Sequence, residues 1–322
     1  MTPLAAQMVP GGCGIEGLRR LSGGASQQTW AFDVPTNQGV VPLILRRAVD
    51  TGGLGIGLEV EARLIEQAGA AGVPVPRVRF VLRPEHGLGD GFVMDRIAGE
   101  TLGARIVRDE RFAPAREHLA EQCGRALARI HGVDAASLPP LRYGPATVEI
   151  DFWQTQHRNY GVDKPVYELA FQWLSRHAPP APERAVLVHG DFRNGNLMVD
   201  EDGLRAVLDW ELAHQGDPME DLGWICVNAW RFGQVDQPVG GFGTREQLFA
   251  GYEAEGGHVD VQRVHYWEVL GTLKWGIICE GMAHAWLSGR ERNMEKAVIG
   301  RRASEADIDL LALLTSQGQG GH

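Results

Sequence analysis

The stretch from Val186 to Glu211 constrains this chain more than any other. Three apolar residues, Val186 to Val188, run into His189, Gly190 and Asp191. Two short apolar runs, Leu197 to Val199 and Leu204 to Leu208, then flank Asp200-Glu201-Asp202-Gly203, a sequence suited to a tight turn between paired strands. The pattern predicts a strand, a loop and a hairpin. A hairpin returns its two ends to one place. Asn196 precedes its first strand and Asp209 follows its second, so the two are expected to face each other, with Asp191 beside them.

Two acids and an amide gathered this way suit phosphoryl transfer. Magnesium takes hard oxygen ligands and keeps several waters, so one carboxylate and one amide oxygen suffice. A further carboxylate, off the metal, can orient an acceptor hydroxyl and take its proton. Asp191 fits that role, and Asn196 with Asp209 fit Mg2+. Taken singly, Asp191 could cap a turn and Asp209 could end a strand; the spaced set between two β elements argues for a site. A metal hydrolase built on His189, Asp191 and Asp209 is a different reading, but such sites gather more histidine or carboxylate ligands than this region offers. No GxSxG nucleophile elbow occurs.

The rest of the 322-residue chain divides by pattern. The first hundred residues are strand-rich: Thr29 to Val34, Pro42 to Arg47, Val78 to Leu82 and Phe92 to Ile97, with one helical pattern from Leu58 to about Ala71 that Val73-Pro74-Val75-Pro76 ends. Beyond Gly99 helical periodicity dominates, over about Pro114 to His131, Asp151 to Tyr160, Lys164 to His177, Pro218 to Asn228, Arg245 to Glu255, Val261 to Leu287 and Ser304 to Leu314. The expected fold is α+β, with a strand-rich lobe over 1–97, a helical lobe over 98–316 that carries the hairpin, and a disordered tail over 317–322.

Charge and composition exclude some functions. The net charge of −10 argues against nucleic acid or an anionic membrane surface as partner. The four cysteines, Cys13, Cys123, Cys226 and Cys279, form no CxxC pair, and a reducing cytoplasm is the expected location. No apolar run reaches membrane-spanning length. Nothing in the sequence sets the oligomeric state.

The set HGDFRNGN (His189 to Asn196), LDWE (Leu208 to Glu211) and GDPMEDLGW (Gly216 to Trp224) resembles the aminoglycoside phosphotransferase and choline kinase group, distant relatives of protein kinases. It is similar to the branch whose kinase-like domains are fused to, or encoded beside, acyl-CoA dehydrogenases. The resemblance spans roughly Leu21 to Leu287 and implies a bilobal protein-kinase-like fold, ATP with Mg2+, and a small-molecule hydroxyl acceptor.

The resemblance also assigns the nucleotide lobe. Leu21 to Thr29 (LSGGASQQT) stands where a Gly-rich hairpin covers the phosphates, which points to Gly23, Gly24 and Ser26, although a plain surface turn fits the bare pattern equally. The expected β-strand lysine is missing, because the only lysines are Lys164, Lys274 and Lys296. Arg46 holds the matching position, with Glu61 on the next helix as its partner. An arginine there grips phosphate as a planar fork and not as a point charge. Met94, Asp95 and Ile97 fall where a hinge would meet adenine; Met94 fits a core position as well.

Supporting roles are expected for His189, Arg193 and Glu211: loop packing for His189, and for Glu211 a contact to the metal itself or to one of the groups that hold it. Asp217 and Asp221 are expected to cap a helix and brace the loop. Gly53 to Gly57 imitates a dinucleotide fingerprint with a misplaced third glycine and is read as a flexible loop. The acceptor is expected near Tyr160, Trp224, Trp230, Lys274, Trp275 and Glu280, which at helical spacing fit a core equally well. A polycationic aminoglycoside would want carboxylates there and a hydroxyacyl-CoA or hydroxy acid would want arginines. The missing lysine also motivates a second reading, a catalytically silent nucleotide-binding module.

Overall fold

The computed structural model describes residues 4–21, 27–48, 55–290 and 292–316. It opens with a short helix, α1 (Ala5–Met8), and the strands β1 (Glu16–Arg20), β2 (Gln27–Thr36) and β3 (Gly39–Ala48). Helix α2 (Leu58–Ala70) follows, then β4 (Val78–Val81) and β5 (Gly91–Asp95). These strands make one antiparallel sheet in the order β1-β2-β3-β5-β4. β2 and β3 pair without a bulge from Gln27 opposite Ala48 to Thr36 opposite Gly39. Phe32, Val34, Leu43, Leu45 and Val93 fill a small core with Met8 of α1 on one side of the sheet. Ala31, Ile44, Phe92 and Met94, on alternating positions, join the main core with α2.

The helical part begins with α3 (Gly103–Arg108) and α4 (Ala113–His131), then β6 (Tyr143–Gly144), α5 (Ala146–Tyr160) and α6 (Pro165–His177). The strands β7 (Val186–Val188), β8 (Leu197–Asp200), β9 (Gly203–Val207) and β10 (His214–Gly216) interrupt it. Helices α7 (Met219–Cys226), α8 (Arg245–Ala254), α9 (Val261–Leu287), α10 (Met294–Gly300) and α11 (Ala303–Ser316) complete it. The architecture is α+β and two-lobed, as expected. No helix among the described residues is long and apolar enough to cross a membrane.

Most expected elements appear with ends shifted by a few residues, and the differences have local causes. The helix expected from Asp151 starts at Ala146, behind Pro145 in extended conformation. The one expected to reach Asn228 stops at Cys226, where Val227 turns extended before a 3-10 turn over Asn228–Trp230. β1 was not expected: it is an edge strand exposed along its whole length, so it carries no apolar alternation. The last expected strand ends at Asp95, which leaves Arg96 and Ile97 to the connector.

The β8–β9 hairpin is tied to its surroundings through the main chain. Glu100 and Val199 exchange two hydrogen bonds, of 2.8 and 2.9 Å. The Val207 N–H donates to the Pro74 carbonyl at 2.8 Å. The expected Asp200–Gly203 turn forms, with the Asp202 N–H on Asp200 Oδ1 at 2.9 Å and Gly203 at φ 119°.

Candidate active site

The loop between β7 and β8 gets its shape from two glycines and two buried side chains. Gly190 stands at φ 77°, and a Cβ there would lie 2.5 Å from the Leu212 carbonyl oxygen. Gly195 stands at φ 121°. Asp221, fully buried on α7, accepts the His189 N–H at 2.8 Å and the Gly190 N–H at 2.9 Å. The same carboxylate meets His131 Nε2 at 3.1 Å, and His131 Nδ1 meets the Tyr252 hydroxyl at 2.9 Å. Burial alone would raise Asp221, but the bonds from His131 and the loop amides outweigh it and hold the carboxyl below its usual range. Asp221 thus braces the loop as expected. Asp217 caps α7 through the Met219 N–H at 3.0 Å and is paired with Arg263.

His189 is fully buried and packs on Trp210, with ring centroids 4.7 Å apart. The Asp191 N–H donates to its Nδ1 at 3.2 Å, so Nε2 carries the proton and donates to the Leu208 carbonyl at 3.1 Å. Burial lowers its pKa, which favours that neutral form. His189 therefore joins the start of the loop to the end of the hairpin.

Asp191 and Asn196 are in direct contact. Asn196 Nδ2 donates to Asp191 Oδ2 at 2.6 Å and to the Asp191 carbonyl at 3.0 Å. With its nitrogen so engaged, the Asn196 amide presents its oxygen for other use. Asp191 Oδ1 accepts from Arg193 Nε at 3.0 Å and from Trp224 Nε1 at 2.9 Å. The Arg193 guanidinium lies over the Trp230 ring at 4.5 Å.

Asp209, the other end of the hairpin, is a non-glycine residue in left-handed conformation, φ 64°. Its Oδ1 lies 3.0 Å from Arg46 Nη2, and Arg46 Nη1 lies 3.2 Å from Glu61 Oε1. The expected Arg46–Glu61 pair is therefore present, and Asp209 extends it. Gln27 joins the same chain of contacts: its Oε1 accepts from Arg46 Nη2 at 2.5 Å, and its Nε2 donates to Glu211 Oε2 at 3.1 Å. Glu61 is fully buried on α2, and neither of its carboxylate oxygens has an aligned hydrogen bond, so its pairing with Arg46 is coulombic. Burial wins over the pull of Arg46 and pushes Glu61 up to about 7. Arg46 itself is pulled down by burial, but Glu61 and Asp209 overcome this and raise it. Burial and the neighbouring Asp209 raise Glu211.

A cleft of about 430 Å³ separates the sheet from the hairpin. Arg46, Met94, Asp95, Ile97, Asn196 and Asp209 all line it, with Ala31, Ile44, Ile65 and Val207 as apolar walls. Asp191 lies just behind this lining, bonded to Asn196. The hinge expectation is narrowed by the sheet. The Asp95 N–H is donated to Arg77 and the Arg96 N–H to Pro42, at 2.9 and 3.0 Å, and the Asp95 side chain is paired with Arg79.

Gly23, Gly24 and Ser26 lie outside the described residues. Of the loop read as flexible, the described end is pinned: the Ile56 N–H donates to the Glu211 carbonyl at 3.0 Å. Two contributors escaped the sequence reading as site residues. Gln27 bridges Arg46 and Glu211, and only its place beside the Gly-rich stretch hinted at it. Trp224 bonds Asp191, and its helical spacing could not separate it from core. Glu280 turns instead to His157, 2.7 Å away.

The oxygen set fits magnesium: one carboxylate and one amide oxygen on one cleft wall, with room for waters and phosphate oxygens. No group of three or more His, Cys, Asp or Glu able to hold a metal occurs among the described residues, so the set does not suit a protein-enclosed metal.

A strand-rich lobe, a helical lobe and a polar cleft between them define a kinase-like transferase fold. The chain belongs to the phosphotransferase enzyme family (APH), whose family model matches residues 17–258. It is 29% identical over 257 residues to acyl-CoA dehydrogenase family member 10 of Mus musculus, covering 72% of this chain and 23% of that protein. It is 31% identical over 166 residues to acyl-CoA dehydrogenase family member 11 of Gallus gallus, covering 48% of this chain and 21% of that protein. The chain thus spans under a quarter of these relatives. Among solved structures, a candidate aminoglycoside phosphotransferase from Ralstonia eutropha superposes with a TM-score of 0.77 at 22% identity, covering 97% of this chain and 96% of that one. A mutant of aminoglycoside phosphotransferase APH(4)-Ia, in ternary complex with AMP-PNP and hygromycin B, gives a TM-score of 0.63 at 19% identity, covering 96% of both chains.

Proposed function

We propose that this chain is an ATP-dependent phosphotransferase that moves the γ-phosphate to a hydroxyl of a small molecule. The observation that carries it is the contact of Asn196, at the start of the hairpin, with Asp191, and the placing of Asp209, at its end, against Arg46. Asp191 takes the proton of the acceptor hydroxyl as that oxygen bonds to the γ-phosphorus and the bond to ADP breaks. The Asn196 amide oxygen and the Asp209 carboxylate would hold Mg2+, which would supply neutralisation of phosphate charge. Arg46, aligned by Glu61 and Gln27, grips the phosphates. Met94 lies behind the adenine, and the Ile97 N–H with the Asp95 carbonyl meets its edge. Gly23, Gly24 and Ser26 cover the phosphates. Residues 1–97 serve the nucleotide and 98–316 the acceptor.

The cations on the indole faces of the helical lobe favour one acceptor class, with Glu149 and Glu220 facing Lys274 behind them. Three indole faces on the helical side already carry cations of the chain itself: Lys274 on Trp224 at 4.5 Å, Arg193 on Trp230 at 4.5 Å and Arg302 on Trp275 at 5.6 Å. A groove of about 700 Å³ between α5 and α9 includes Trp153, Tyr160, His284 and Arg290 in its lining, with no carboxylate among its described lining residues. A polycationic aminoglycoside finds little attraction there. A hydroxy acid or hydroxyacyl-CoA, with an apolar body and negative charge, fits better. The names of the curated relatives, acyl-CoA dehydrogenases, support the same choice.

The test is ADP release with Mg-ATP against hydroxyacyl-CoAs, hydroxy acids, aminoglycosides, sugars and amino alcohols, with the product weighed by mass spectrometry. A phosphorylated hydroxy acid or hydroxyacyl-CoA is expected. ATP binding without product from any acceptor, and without slow ATP hydrolysis, would make the chain a silent nucleotide-binding module.

A further inference from the structure

Asp191 has more partners than a free carboxylate needs, and they leave one vacancy. A carboxylate offers about four lone-pair sites. Oδ1 receives two donors, Arg193 Nε at 3.0 Å and Trp224 Nε1 at 2.9 Å, and Oδ2 receives Asn196 Nδ2 at 2.6 Å. The remaining site is on Oδ2.

Trp224 is the least replaceable of the three donors. It is 3% exposed on α7, so its indole cannot drift as a surface arginine can. Its ring is held from α9. The Lys274 ammonium lies 4.5 Å from the ring centroid and donates to the Gly190 carbonyl at 3.1 Å, in the loop that carries Asp191. Lys274 is itself 7% exposed, with Glu149 and Glu220 lining the same small cavity. Glycines let the helices close on this arrangement. A Cβ on Gly271 of α9 would meet Trp224 Cε3 at 3.0 Å, and a Cβ on Gly223 of α7 would meet the Glu268 main-chain nitrogen at 2.7 Å.

We propose that Trp224 is a positioning residue for phosphoryl transfer: its indole N–H, backed by Lys274, locks Asp191 Oδ1 and leaves the open side of Oδ2 as the atom that receives the acceptor hydroxyl. This rests on the function proposed above. Two of the three locking donors, Trp224 and Asn196, come from scaffold that packing has already fixed. The carboxylate therefore does not rotate when acceptor arrives, which is the value of a preorganised first contact. A hydrogen bond to a charged carboxylate is among the stronger ones, so its loss is large enough to read in turnover.

Trp224→Phe keeps a smaller aromatic face for Lys274 and removes the N–H together with part of the indole. With Mg-ATP and water as acceptor, kcat for ADP release should fall by about tenfold to a hundredfold while the KM for ATP stays unchanged. A contact signature comes from the indole N–H resonance of Trp224, identified by its loss in Trp224→Phe: it should move when Asp191→Asn removes the carboxylate charge. A wild-type kcat in Trp224→Phe overturns the inference, and so does an indole resonance indifferent to Asp191→Asn. A rise in KM for ATP equal to the fall in kcat overturns it too, because the cleft as a whole would then have changed. If the unaltered protein releases no ADP with any acceptor, the proposed function fails, while the indole resonance still decides whether Trp224 holds Asp191.

Discussion

Asp191, in the loop before the hairpin, and Asp209, just after it, are held in opposite ways. Among the described residues, every side-chain donor to Asp191 belongs to its own lobe: Arg193, Asn196 and Trp224. Its loop is braced from below by the buried set Asp221, His131 and Tyr252. Asp209 is gripped from across the cleft by Arg46 on β3, and its backbone sits in a conformation that side chains rarely adopt. Asp191, the proposed proton acceptor, is thus held within one lobe. Asp209 depends on how closely two lobes approach and on a charge chain that runs Glu61, Arg46, Asp209. Under the proposed function, that division would keep the chemistry set while a nucleotide enters and leaves.

Breaking each side in turn tests the contrast. Asp191→Asn should lower turnover by about a thousandfold and leave ATP affinity nearly intact, checked by ADP release and calorimetry; retained turnover removes Asp191 from the base role. Asp221→Ala strips the brace from the loop, orphans two amides and His131, and should cost about 3 kcal/mol of stability in urea unfolding. Asp209→Ala should weaken Mg-ATP binding by about thirtyfold with little loss of stability, and a normal magnesium titration would count against its metal role. Arg46→Lys keeps the charge and loses the fork, so the KM for ATP should rise by about tenfold. An unchanged KM makes Arg46 a bystander.

The smallest expected effect concerns pH. Glu61 at about 7 lies above its ordinary value of 4.5, so the folded protein holds this proton more tightly than the unfolded chain. That contribution is fully present below about 4.5 and is lost as pH rises through about 7. Glutamine cannot ionise. The stability of Glu61→Gln relative to the unaltered protein should therefore grow between pH 5 and pH 8 by on the order of 1 kcal/mol, measured as parallel melting curves. A constant gap would mean that Arg46 keeps Glu61 charged throughout.

Legibility followed locality. The strand-loop-hairpin was readable because its apolar runs and turn residues are contiguous, and Asp191, Asn196 and Asp209 could be placed from the hairpin's closure alone. The Arg46–Glu61 pair was reachable through the resemblance, since no lysine competes in that lobe. The edge strand β1, exposed on every residue, carried no pattern to read. Gln27 carried none either, and Trp224, though part of a recognised motif, gave no sign of its bond to Asp191.

The sequence by itself determined the α+β order of elements, the hairpin, and the three polar residues that meet at its base, because period and turn chemistry act over a few residues. Tertiary structure alone decided which donors each carboxylate receives. Trp224 reaches Asp191 only because α7 closes on α9 at Gly223 and Gly271, and Arg46 reaches Asp209 only because the sheet faces the hairpin across the cleft. Those contacts depend on packing between distant segments, and packing has no period to read.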